Sequence, residues 1–174
     1  LGYAVAYGNL GMVYQKKHLW NSATEHLQEC LNILQKLNST EIMPDFINSL
    51  LEIYLIIHEL PQAESVLRNL SSIIEDKGNE PQKGKLARLR GEYHLKKQEL
   101  IEAKKCFDQA LSLVESGKEQ TEILLVYYCF YRYSQLVHNN EKTLWHKKYQ
   151  TALNRLEAPE RQRFTEMLNQ SWAA

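Results

Sequence analysis

One frame recurs along this chain at a fixed step of 40 residues. It reads Tyr7-x2-Leu10-Gly11-x2-Tyr14, followed nine residues on by Ala23-x3-Leu27. It returns as Ile47-x2-Leu50-Leu51-x2-Tyr54 with Ala63-x3-Leu67, and as Ala87-x2-Arg90-Gly91-x2-His94 with Ala103-x3-Phe107. Self-similarity at such a period means one supersecondary unit stacked on copies of itself, each burying an apolar face that it cannot bury alone. Apolar residues recur at three and four, which is helical spacing. Seven Gly and four Pro in 174 residues are too few for a turn-dense all-β fold. The expectation is an all-α chain of two-helix units, with small residues where helices approach closely and large ones filling the gaps.

Taken in order, the units are expected at about 1–38, 43–77, 82–116 and 118–156, with a capping helix at about 159–171, all in one domain. The first unit turns at His18-Leu19-Trp20, and Ser22 with Glu25 has the spacing of a capping box for its second helix. Pro44 and Pro61 suit first helical turns. Lys77-Gly78-Asn79-Glu80-Pro81 is the clearest linker, with Gly closing one helix and Pro just before the next. The fourth unit breaks the frame: the landmark positions become Thr143 and Lys147, and Lys147 cannot fill an apolar gap. Its first helix, about Lys118–Val137, is rich in aromatics, and Asn139-Asn140 marks the turn. Its second, about Lys142–Leu156, offers Leu144/Trp145, Tyr149 and Ala152/Leu153 as a buried stripe. In the cap, Phe164, Met167, Leu168 and Trp172 are expected inward, with Glu160, Arg161, Arg163, Glu166 and Asn169 outward. A chain that opens in mid-helix on Leu1 reads as a piece of a longer polypeptide.

These landmarks resemble the tetratricopeptide repeat family over nearly the whole chain. The 40-residue step and the run Asn9-Leu10-Gly11-Met12-Val13-Tyr14 are similar to its longer-helix branch, found in kinesin light chains, Leu-Gly-Asn-repeat polarity adaptors and bacterial regulators. The resemblance implies a right-handed superhelix whose concave groove is lined by the first helix of each unit. Helical phase places Asn9 and Met12, Asn48 and Glu52, Lys85, Arg88 and Glu92, and Tyr128 and Arg132 on that face. The plain reading of any one of them is a solvated surface position. Gly8 and Met12 stand where the chaperone-tail-binding members carry Lys and Asn, so that carboxylate clamp is incomplete.

Other chemistries find little footing. Formal net charge is zero, which gives no bulk attraction to nucleic acid or an anionic membrane. The aromatic cluster Tyr127–Tyr133 has no basic stripe beside it and reads as core or as a partner surface. The apolar runs Ile53–Ile57 and Ile123–Val126 are far short of a span. Cys30, Cys106 and Cys129, an odd and scattered set, read as reduced, buried thiols and a cytoplasmic setting. His18, His58 and His138 fall in turns, too far apart to share one ion, and His26 with Cys30 lacks a third ligand. No nucleophile motif, phosphate loop or HExxH is present, so neither a cofactor, a metal nor catalysis is expected. The reading is a protein-interaction module that takes a peptide or helical segment in its groove, within a signalling or regulatory protein. A sensor for a small molecule or signalling peptide is the alternative. Self-association through Trp172 and the terminal helix ranks below both.

Overall fold

The computed structural model describes residues 1–117, 120–138 and 140–171, the side chains of residues 116, 117, 163, 167 and 169–171 excepted. The described chain is all-helical: α1 (Gly2–Lys16), α2 (Trp20–Lys36), a 3-10 turn (Thr40–Ile42), α3 (Pro44–Ile56), α4 (Leu60–Lys77), α5 (Glu80–Lys96), α6 (Leu100–Gly117), α7 (Gln120–Leu136), α8 (Lys142–Asn154) and α9 (Ala158–Ser171). Helices pack as consecutive pairs, α1 with α2 through α7 with α8. The odd-numbered helices α1, α3, α5 and α7 also touch one another in sequence. No helix among the described residues is long and apolar enough to cross a membrane.

The 40-residue frame becomes a set of notches and knobs. Ala23, Ala63 and Ala103 are fully buried. A Cβ added at Gly11 would lie 2.8 Å from Leu27 Cγ, and one added at Gly91 would strike the Phe107 ring. In the first and third units the fourth residue after the frame alanine therefore sits in the glycine notch of the preceding helix. In the second unit Leu51 replaces the glycine, and α3 approaches α4 less intimately than α1 approaches α2. Leu10 is exposed, whereas its counterpart Leu50 is buried.

The turns share one device. His18, Asn38, His58, Gln98 and His138 have φ between 50° and 62°, the left-handed region. The amide of His18 donates to Gln15 O and that of Leu19 to Tyr14 O, both at 3.0 Å, and the same pair of bonds recurs after Asn38, His58 and Gln98. This is the Schellman closure, which satisfies carbonyls that a helix end leaves open. The histidines expected in turns are thus αL caps. Asn139, expected in the last of these turns, lies outside the described residues, as does Lys118.

Two local expectations are corrected. Ser22 and Glu25 form no capping box, because α2 starts at Trp20 with Leu19 as its uncapped N-cap. The capping box is at α5, where Asn79 Oδ1 accepts from the Gln82 amide at 2.9 Å and Gln82 Oε1 accepts from the Asn79 amide at 3.0 Å. Leu144 is half exposed, so the inward stripe of α8 is Trp145, Tyr149 and Leu153, at i, i+4 and i+8. Phe130 stacks on Trp145 with ring centroids 4.2 Å apart and packs against Phe107, which places it in the core.

Helix α9 does more than extend the row. After a short link, Leu168 and Phe164 join Leu124, Leu125, Tyr149 and Leu153 in an apolar cluster with α7 and α8, while the helix also touches α3. Arg161 is not on an outer polar face. Its guanidinium turns back and donates to the carbonyls of Asn154 (3.2 Å) and Leu156 (2.9 Å). Trp172 and the side chains of Arg163, Met167 and Asn169 lie outside what is described.

Candidate functional site on the odd-helix face

The side of the molecule built from α1, α3, α5 and α7 carries a buried polar cluster centred on Arg88. Its guanidinium presents donors in three directions. Nε donates to Glu122 Oε1, Nη1 donates to Glu92 Oε1, and Nη2 donates to Glu52 Oε1 at 3.0 Å. Glu52 uses its second oxygen as well, accepting from Lys85 Nζ at 2.9 Å and Gln15 Nε2 at 3.0 Å. The Cys129 thiol donates to Glu92 Oε1 at 3.6 Å. One network therefore ties α1, α3, α5 and α7 together.

Each position follows from helical phase. Lys85, Arg88 and Glu92 lie at i, i+3 and i+7 on one face of α5, and Glu52 on α3 and Glu122 on α7 meet them from either side. Burial opposes the charge on Glu52, Arg88 and Glu92. For Glu52, burial pushes the carboxyl up, but the Lys85 and Arg88 charges outweigh it and hold the group at about 2. For Arg88, burial works against the cation, yet Glu122, Glu92 and Glu52 raise it well above its ordinary value. Glu92 goes the other way: burial dominates and raises it despite Arg88.

Above this cluster lies a cavity of about 390 Å³. Met12, Trp20, Ile56, Leu125 and Phe164 give it apolar walls, and Gln15, Lys16, Glu52, Lys85, Glu122 and Glu160 give it polar ones. A mixed lining of this kind orients a ligand through a few polar groups while excluding water with the rest.

The residues singled out from the sequence divide four ways. Met12, Glu52 and Lys85 meet at the cavity. Asn48, Arg88 and Glu92 lie beneath it, 1%, 2% and 7% exposed, so they shape the face rather than offer themselves to a ligand. Asn48 Nδ2 donates to Gln82 O at 3.0 Å, joining α3 to the first turn of α5, and its Oδ1 is buried without a partner. Asn9 is exposed away from the cavity lining. Tyr128 and Arg132 are half-buried; the Tyr128 ring lies 5.1 Å from that of Tyr149, and burial pushes its hydroxyl up to about 12.

Sequence reasoning did not single out Trp20, Glu122, Glu160 and Phe164 as cavity residues. Glu122 had a legible signal, since it lies one turn before Leu125 and so shares its face. Phe164 had none, because nothing local says where α9 folds back. Glu92, for which the plain reading is a solvated surface position, is instead buried against Arg88, as is Glu122. Cys30, Cys106 and Cys129 are free and buried. Compared with known protein families, curated proteins and solved structures, the chain matches none.

Proposed function

We propose that this chain is a tetratricopeptide-type solenoid and serves as a protein-interaction module that holds a peptide or helical segment on the face formed by α1, α3, α5 and α7. The observation that carries the reading is the 390 Å³ cavity on that face, with apolar walls beside a fixed set of charges. The buried Arg88 cluster supports it by presetting the positions of Glu52 and Lys85, so a ligand finds them already oriented and does not meet the cost of ordering them. Apolar anchors with flanking ion pairs are how grooves read an amphipathic segment. No catalytic step is assigned.

The same volume falls within the range of small-molecule pockets, about 300–1,000 Å³, and this favours a metabolite or short-peptide sensor as the second reading. Thermal-shift screening of the full chain against peptides and metabolites separates the two, because a ligand of the native state raises the melting temperature. Peptide hits whose shift disappears in Ile56→Glu are expected. Metabolite hits alone would favour the sensor, and shifts that survive Ile56→Glu would remove this face from the argument. Asn48→Ala and Arg88→Glu are poor probes of binding, since both groups are buried in the fold.

A further inference from the structure

Helix α9 supplies one wall of the cavity on this face. Helix α9 leaves α8 through a short link, touches α3 across the face, and places Glu160 and Phe164 in the lining of the cavity with Met12, Ile56 and Lys85. Leu168 continues the same line into the cluster formed with Leu125 and Tyr149. Glu160, Phe164 and Leu168 stand at i, i+4 and i+8, one face of a helix. Their order is carboxylate, aromatic ring, aliphatic chain. Among the described side chains of α9, Phe164 and Leu168 make its apolar contacts, and Phe164 is only half-buried. Arg161 donates to the carbonyls of the link, yet its Nε is buried without a partner. Among the described side chains, the helix is seated by Leu168, by the half-buried Phe164 and by the two bonds of Arg161.

We propose that α9 is a displaceable self-ligand, and that the partner is an amphipathic helix with the same pattern, an acidic residue, a large aromatic four residues on and an aliphatic residue four beyond that. This rests on the groove reading above and names both its ligand class and its regulation. The tether gives α9 an effective concentration on the order of 1 mM at the face. Against a free helix that binds the open groove with a Kd of ~10 µM, the closed form is favoured ~100-fold, and apparent affinity falls by the same factor. Binding is therefore gated: a partner needs higher local concentration, a better match than α9, or a second contact that pulls α9 away.

The probe is a fluorescein-labelled peptide with the sequence of residues 158–171, titrated into the full chain and read by anisotropy. Phe164→Glu should bind it at least ~10-fold more tightly than the unaltered chain, and adding Ile56→Glu should abolish that gain. Equal affinity for both chains overturns the self-ligand while leaving the groove reading intact. Absence of binding to Phe164→Glu also overturns it, and the groove reading is then judged separately by the thermal-shift screen. A second measurement needs no variant. Saturating the unaltered chain with an isotope-labelled copy of the peptide should accelerate hydrogen exchange in its own α9 amides; unchanged exchange overturns the proposal.

Discussion

Gly91 and Phe107 show at the scale of single residues how the frame works. The Phe107 ring is fully buried against the α5 backbone at Gly91, with Cys106 Cβ only 3.2 Å from where a new methyl would stand. Gly91→Ala should therefore destabilise the chain by about 1–3 kcal/mol, the usual cost of overpacking a filled core, despite the better helix propensity of alanine. Chemical denaturation would measure it, and a neutral or stabilising effect would mean α5 and α6 can separate freely. Gln98 offers the opposite case. It is exposed, its φ is 61°, and its amide closes the α5 helix end on Leu95 O. A non-glycine residue there is held in a disfavoured region at a cost of roughly 1 kcal/mol, so Gln98→Gly should raise stability by up to about that amount and lift the melting temperature by a few degrees. The notch at Gly91 was legible in the sequence from its pairing with Phe107 at a fixed offset. The αL histidines were legible as turn residues, but no sequence signal distinguished them from ordinary turn polar groups.

Between elements, the Arg88 cluster joins consecutive units through buried charges. Three carboxylates from α3, α5 and α7 converge on one guanidinium that is 2% exposed. Arg88→Met keeps much of the apolar stem but leaves Glu92 and Glu122 without their cation. Breaking a buried ion pair from one side typically costs about 3–5 kcal/mol, and that range is the expected loss in urea or guanidinium unfolding. A loss below 1 kcal/mol would mean that water or a proton compensates the carboxylates at no cost. Lys85 is the milder neighbour, since its ammonium is partly exposed and solvent screens the pair. Helical phase put Glu52, Arg88 and Glu92 on one side of the chain. It could not say that the side would be closed over at Arg88, because burial there depends on Glu122 arriving from α7, 34 residues away.

For the whole molecule the cluster sets a pH response. Glu52 is held near 2 when folded, below the ~4.3 of an unfolded glutamate. A depressed folded value contributes stability that is complete above the unfolded pKa and is lost as pH falls through the folded one. Stability should thus decline between about pH 5 and pH 2, by on the order of 2–3 kcal/mol from this group. Glu92 works in the opposite sense. Its raised value contributes below the unfolded pKa and loses that contribution as pH rises through the folded one, so it softens the acid limb. Glu52→Gln should flatten the slope of unfolding free energy against pH in that window, and an unchanged slope would assign acid sensitivity to other groups. Because Glu52 accepts from α1 and α5 while sitting on α3, its protonation loosens three helices at once.

The sequence by itself determined the helices, their pairing by notch and knob, the step of 40 residues and the place where the frame fails. These rest on local rules, namely spacing, small residues at a fixed phase and turn residues, and local rules are written in neighbouring positions. Tertiary structure decided which residues of the odd-helix face stay open. Arg88 went under because carboxylates from α3, α5 and α7 satisfied its donors, and Asn48 because the Gln82 backbone carbonyl accepted its amide, while Met12, Glu52 and Lys85 remained at a cavity. It also decided that α9 crosses back onto α3. That contact joins positions more than 100 residues apart in sequence, and the apolar residues at 164 and 168 specify that the helix must bury a face without specifying against what.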